Sequence, residues 1–261
     1  MGAEARESHF VQSFERGLSV IRAFDAHHPE LTLSEVARLC GITRAAARRF
    51  LLTLADLGYV HTDGRLFRLS PRVLELGYAY LSSFSLPQIA EPHLEQLVAE
   101  VRESSSLCVL DSDAVVYVAR VPVSRIMTAS ITVGTRLPAH TTSVGRVMLA
   151  FLPEEERDRR LKATTPAALT PYTLVSVDLL RAELERVRRQ GYAIVDQELE
   201  EGLRSVAAPV RDREGTVVAA VNIPVHASRH SVESVRRDLL PTLLATVARI
   251  EADLRAGFGA G

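Results

Sequence analysis

Apolar residues at Val11, Phe14, Leu18, Ile21 and Phe24 recur at three- and four-residue spacing, which predicts an amphipathic helix over about 11–26. The polar residues 1–9 before it are expected to be disordered. His27-His28-Pro29 ends the helix, because the residue before a proline is pushed out of the helical region. Thr32 and Glu35 then stand at the spacing of a capping box, and Leu33, Val36, Ala37 and Leu39 form the apolar stripe of a second helix. Gly41 supplies a left-handed turn at low cost. Thr43 caps a third helix that runs through Phe50, Leu51, Leu54 and Leu57 to Gly58. From there the period drops to two. Tyr59–His61 and Leu66–Leu69 alternate around Asp63-Gly64, a strong hairpin signal. Helix, turn, Arg-rich helix and hairpin, in that order, make a winged helix-turn-helix, expected over residues 1–70.

Pro71 opens a further helix with apolar positions at Val73, Leu74, Leu76, Tyr78 and Leu81. These are too many for one face, so residues 71–86 read as a linker helix that also contacts a second copy of the chain. Ser82 to Pro87 breaks that helix and marks a domain boundary. Beyond it the pattern predicts helices at about 88–103, 143–151, 154–162, 178–190 and 231–254. Strands are predicted at Leu107–Leu110, Val115–Arg120, Met127–Ile131, Tyr192–Val195, Val206–Val210 and Val217–Val225. Hairpin-like strands with flanking helices define an α+β domain built on an antiparallel sheet, expected over 87–261.

Composition narrows the classes. With 47% hydrophobic and 24% charged residues the chain is ordinary globular material. No apolar run reaches the roughly 18 residues of a membrane span, and the start of the chain lacks the apolar core of a signal peptide, so a cytoplasmic protein is expected. Cys40 and Cys108 fall in different predicted domains and read as two reduced thiols. The net charge of −1 does not announce a nucleic-acid partner, but local charge does. Between Glu35 and Asp56 there is no acidic residue, whereas Arg38, Arg44, Arg48 and Arg49 all fall there.

An Arg-rich helical turn standing alone is more often a solvated face. Here it arrives with its turn glycine, capping box, apolar tail and hairpin, and double-stranded DNA becomes the expected partner. Thr43, Arg44, Ala45, Arg48 and Arg49 occupy the start of the helix that would enter the major groove, where arginine bonds guanine and small alanines allow close approach. Thr43 and the helix start can donate to a phosphate. Arg65 at the hairpin tip suits the backbone or minor groove.

The second domain carries fainter signals. It has no Gly-rich phosphate loop, no paired-cysteine metal spacing and no nucleophile elbow, so neither a cofactor nor a metal is expected. His226 and His230 are four apart, but Ala-Ser-Arg between them reads as a turn rather than a metal-binding helix. His140 and Ser143 leave open one alternative, a hydrolase-like enzyme with a fused DNA-binding module; another is an architectural DNA protein without an effector. Two stretches stand out as sources of polar groups for a pocket: the hydroxyl-rich 134–145, which leads into a helix, and the polar 196–205 between two strands.

At these residues the chain resembles the IclR family of transcriptional regulators. The resemblance is carried by VQSFERGLSVIRAF, LTLSEVARLCGITRAAARRFLLTLADLGYV, LPAHTTSVGRVMLA, ELERVRRQGYAIVDQELEEGLRSVAAPVRD and VVAAVNIPVHASR, which span both domains in order. TRAAARRFLLTLADLGYV, RVLELGYAYLSS and ESSSLCVLD resemble more narrowly the members that control β-ketoadipate-pathway genes for protocatechuate and 4-hydroxybenzoate breakdown. The resemblance implies a GAF-like effector domain and a homodimer, or a dimer of dimers, on a palindromic operator. It also implies an organic-acid effector, an aromatic acid or a ring-cleavage product. The effector site it implies comprises His140, Thr142, Ser143, Gly145, Asp196, Arg204, Ser205 and Asn222. Where some members carry cysteines and serines, this chain has Ser205, Pro209, Asn222 and Pro224. Arg120, Arg136 or Arg204 would meet the effector's carboxylate.

Overall fold

The computed structural model describes residues 10–25, 27–76, 85–123, 131–163 and 166–256. The polar start at 1–9, Tyr78 and Leu81 of the linker and residues 127–130 of a predicted strand lie outside them. The chain divides into two compact units, residues 1–83 and 84–261.

The first unit opens with α1, Gln12–Arg22. It ends four residues sooner than its periodicity suggests, because the Asp25 carboxylate accepts the N–H groups of His27 and His28 at 2.8 and 2.7 Å and bends the chain. A two-residue strand, β1 (Leu31–Thr32), leads into α2 (Leu33–Leu39). Thr32 caps α2 and closes the box with Glu35, whose carboxyl is held below its ordinary range by the Thr32 N–H and hydroxyl. Gly41 takes the left-handed conformation with φ +62° and turns the chain toward α3, Arg44–Asp56. β2 (Val60–Thr62) and β3 (Leu66–Leu69) form the hairpin. β1 adds to it in the order β1-β3-β2, all antiparallel, a third strand hidden in the sequence because Thr32 both pairs and caps. Val20, Val36, Ala47, Leu51, Val60 and Phe67 close the core. Beyond the wing, Ser70 caps a 3-10 turn at Pro71–Val73 that opens the linker.

The second unit is a six-stranded antiparallel sheet between two helical layers. It is helical from Ser85 in α4 (Ser85–Val101), three residues earlier than expected, because Pro87 sits in the first turn where its missing N–H costs nothing. Next come β4 (Ser105–Asp111), β5 (Ala114–Val121) and β6 (Arg136–Pro138). Ile131 belongs to no strand; Arg136–Pro138 pairs with β5 instead, at a sheet edge where a proline is tolerated. Three helices follow: α5 (Ser143–Phe151), α6 (Glu154–Ala163) and α7 (Val177–Gln190). The sheet is completed by β7 (Ala193–Asp196), β8 (Leu203–Arg211) and β9 (Val217–His226), in the order β6-β5-β4-β9-β8-β7. Arg204 and Ser205, expected in a polar loop, are therefore strand residues, and the loop shrinks to 197–202.

The last segment is not one regular helix. A short helical turn at Val232–Ser234 passes through a π turn, Val235–Leu239, into α8 (Leu240–Ala256). Pro241 has no N–H for the Arg237 carbonyl and its ring crowds that oxygen, and the wider turn accommodates both. α4 and α8 cover one sheet face over Leu107, Val118, Val206, Val221 and Ile223. α5 and α7 cover the other over Cys108, Tyr117, Ala193, Ala207 and Ala220.

Candidate nucleic-acid interface and effector pocket

The third helix sorts its residues by side. Ala47 and Leu51 are buried against the first unit's core, while Thr43, Arg44, Ala45, Arg48 and Arg49 are exposed together at its first two turns. The Thr43 hydroxyl accepts the Ala46 N–H at 3.2 Å, which fixes the helix start and leaves neighbouring N–H groups facing outward. Arg65 is exposed at the wing tip, next to Gly64 with φ +94°. The Asp63 carboxylate accepts the Leu66 and Arg65 N–H groups at 2.8 Å each and so shapes that tip. Among the described residues none of Arg44, Arg48 and Arg49 is in an ion pair, whereas Arg65 lies in the field of Asp63, Arg68 pairs with Glu30 and Arg72 with Glu75. Unpaired guanidinium groups around a helix start form a phosphate-seeking surface.

In the second unit a cavity of about 390 Å³, enough for a single-ring acid, opens on the sheet face under α5. Its walls are largely apolar: Tyr117, Ile131, Leu137, Val195, Leu199, Leu203 and Pro224. Across its floor runs a polar row set by strand register. Ser106 stands opposite both Arg120 and Asn222, and Ser205 lies diagonally beyond Asn222. Arg120 Nη1 donates to Ser106 Oγ at 3.3 Å, Asn222 Nδ2 donates to Ser205 Oγ at 3.1 Å, and Ser205 Oγ lies 2.8 Å from Ser143 Oγ at the start of α5.

Tyr117 and Arg120 are three residues apart on one strand, which would ordinarily turn them to opposite faces. They share a face because the register slips: Leu107 pairs with Ala119 and Cys108 with Tyr117, leaving Val118 unpaired as a bulge. Burial pushes the Tyr117 phenol up, and it pushes the Cys108 thiol up as well, so neither ionises in the neutral range.

The eight residues expected at the effector site part company here. Thr142, Ser143, Ser205 and Asn222 line the cavity; His140, Gly145, Asp196 and Arg204 do not. Gly145 serves packing: a Cβ there would lie 2.6 Å from the Ala139 carbonyl carbon, with Ala139 O and Cα closer still. Asp196 holds Arg204 through Nε and Nη2 at 3.0 and 2.8 Å, and Arg204 also donates to the His230 carbonyl, so both are spent on each other and on the chain beyond β9. Arg136 pairs with Asp111 in the same way. Of the three arginines considered for an effector carboxylate, Arg120 is the one that lines the cavity; Glu200 and Glu201 line it too, but among the described residues Arg120 is in no ion pair. Sequence reasoning missed Tyr117, whose shared face with Arg120 depends on a bulge that leaves no mark in the pattern, and most of the apolar wall residues, which come from separate elements.

The hydrolase-like arrangement does not form. Ser143 gives its hydroxyl contact to Ser205, and His140 Nε2 is buried without a hydrogen-bond partner among the described residues. Burial and, behind it, the Arg146 charge hold the His140 imidazole below its ordinary range. His226 and His230 are joined by a turn in which the His226 carbonyl accepts the His230 N–H at 3.1 Å.

Comparison with known proteins completes the picture. Residues 13–64 match the IclR helix-turn-helix domain, and residues 78–252 match the C-terminal domain of bacterial transcriptional regulator IclR. The Pca regulon regulatory protein of Pseudomonas putida is 41% identical over 237 residues, 90% of this chain and 81% of the relative. A crystal structure described as a transcriptional regulator from Rhodococcus sp. RHA1 is similar at TM-score 0.85 and 55% identity, over 95% of this chain and 100% of that one. An IclR homolog from Microbacterium hydrocarbonoxydans, crystallised with 4-hydroxybenzoate, gives TM-score 0.83 at 26% identity over 94% of this chain and 100% of that one. Fold, surface and cavity define a DNA-binding transcriptional regulator with a separate small-molecule domain. The chain belongs to the IclR family of bacterial transcriptional regulators. Among the described residues no helix is long and apolar enough to cross a membrane.

Proposed function

We propose that this regulator acts in the cytoplasm as a homodimer, or a dimer of dimers, on a palindromic operator. It senses a small aromatic acid and controls genes for aromatic-compound breakdown. The observation that carries the effector reading is Arg120, a guanidinium that lines a largely apolar cavity and, among the described residues, is in no ion pair, although Glu200 and Glu201 line the same cavity. A ligand carboxylate can pair with Arg120, the apolar walls suit a ring, and the Ser143, Ser205 and Asn222 row can bond a ring hydroxyl. The Pca regulon relative and the 4-hydroxybenzoate-bound homolog support this choice.

Thr43, Arg44, Ala45, Arg48 and Arg49 meet the operator's major groove, and Arg65 meets its backbone or minor groove. An exposed apolar stripe on and just before α1 (Phe10, Val11, Phe14 and Leu18) supports self-association of the first unit. Effector and operator are coupled by a population shift, for which about 1–3 kcal/mol suffices.

The test is thermal shift and calorimetry on the full chain with 4-hydroxybenzoate, protocatechuate, benzoate and β-ketoadipate. A ligand at a hundred times its Kd should stabilise the chain by about 2.7 kcal/mol. The Arg120→Gln variant should lose that stabilisation while melting normally without ligand. Binding of none of these acids, or equal binding by Arg120→Gln, removes the aromatic-acid reading.

A further inference from the structure

Arg146 is only 2% exposed, the largest fully buried side chain among the described residues, and it does not line the cavity. From α5 its guanidinium reaches two separate pieces of chain. Nε donates to the His140 carbonyl at 2.9 Å, and Nη2 donates to the Glu198 carboxylate. Glu183 of α7 lies 3.9 Å from Nη1. Glu198 is tied down in turn: its carboxylate accepts the Leu174 N–H at 2.9 Å and its carbonyl accepts the Thr173 hydroxyl at 2.7 Å.

These two pieces are the roots of two stretches of the cavity wall. His140 leads into Thr141, Thr142 and Ser143, which line the cavity. Glu198 leads into Leu199, Glu200, Glu201 and Gly202, which line it as well. Burying an ion pair is a poor route to stability, since apolar groups of similar volume often do as well. What the pair supplies that apolar groups do not is direction: two donors at a fixed angle, Nε and Nη2, pin a carbonyl and a carboxylate in one relation.

We propose that Arg146 is the positioning residue of the effector site, fixing the relation of these two wall stretches through His140 and Glu198 without touching the ligand. The proposal rests on the cavity being the effector site. Effector affinity and selectivity should then depend on the Arg146–Glu198 pair more than folding does. Replacing one partner strands a buried charge, so the informative variant replaces both, Arg146→Met with Glu198→Leu.

The experiment is calorimetric titration of the full chain with 4-hydroxybenzoate and benzoate, with melting curves and hydrogen–deuterium exchange of the ligand-free proteins. The double variant should melt close to wild type yet bind 4-hydroxybenzoate at least tenfold more weakly, with its preference over benzoate reduced. Exchange should rise together at 139–143 and 197–202 and stay unchanged in β4, β8 and β9. Wild-type affinity and unchanged exchange in the double variant would overturn the proposal. Should the double variant fail to fold, Arg146→Lys and Glu198→Gln take its place, with at least threefold weaker binding and the same paired rise expected, and unchanged binding and exchange decisive against it. If wild type binds neither acid, the effector reading fails by itself, and exchange in the ligand-free variants still decides whether Arg146 joins the two wall stretches.

Discussion

Gly145→Ala is the smallest change that tests how the cavity is built. Gly145 is the third residue of α5, packed so closely on Ala139 that a Cβ would stand 2.6 Å from the Ala139 carbonyl carbon, where ordinary contact begins at 3.4 Å. The obstruction is backbone, so no side chain can swing aside. The helix and the Ala139–Thr141 turn must separate by about 0.8 Å or more, in an interior that packs like a crystal. Overpacking of this kind costs about 1–3 kcal/mol, and a backbone obstacle places it at the upper end. Alanine recovers up to about 1 kcal/mol through its better helix propensity. The clash wins by about 2 kcal/mol, and the second unit should melt about 4–8 °C lower. The same displacement moves Thr141, Thr142 and Ser143, so 4-hydroxybenzoate should bind about tenfold more weakly, about 1.4 kcal/mol. Differential scanning calorimetry and titration measure both. A Gly145→Ala protein with wild-type melting and wild-type affinity would refute the packing argument.

Other outcomes follow from the same geometry. Arg44→Ala and Arg48→Ala should each weaken operator binding without lowering Tm, and loss of a phosphate contact should flatten the salt dependence by about one unit of slope; gel shifts at several salt concentrations that match wild type in both variants would remove α3 from the groove. His140 has a folded-state pKa below its ordinary 6.5, so below that pH the unfolded chain takes up a proton that the folded chain resists. Stability should be full above pH 6.5 and decline as pH falls toward the depressed folded value; His140→Phe should shallow that decline, and identical pH–melting profiles would count against it.

The winged helix was largely legible in the sequence because its devices are local. Thr32 and Glu35 are three residues apart, Gly41 needs only its own φ, and Asp63-Gly64 shapes its own turn. The helices and most strands of the second unit were legible for the same reason. The cavity was half legible. Ser143, Ser205 and Asn222 were found through resemblance to a family, whereas nothing local tells that Arg204 is consumed by Asp196 across a strand pair while Arg120 is left facing the cavity. Arg146 escaped altogether, since an arginine on an apolar helix gives no sign of a glutamate 52 residues away.

The unpaired Val118 has a consequence for how ligand preference can change in descent. Because side chains on a strand alternate, moving that bulge beyond Arg120 with no residue lost would turn Arg120 toward the apolar layer under α4 and α8 and bring Ala119 to the cavity face in its stead. No residue of the cavity need mutate for the charge it offers to vanish. Effector chemistry here is encoded partly by phase rather than by identity. Two homologues with the same cavity residues and a different bulge position would answer to different molecules, and sequence comparison scored by identity alone would rank them as equivalent.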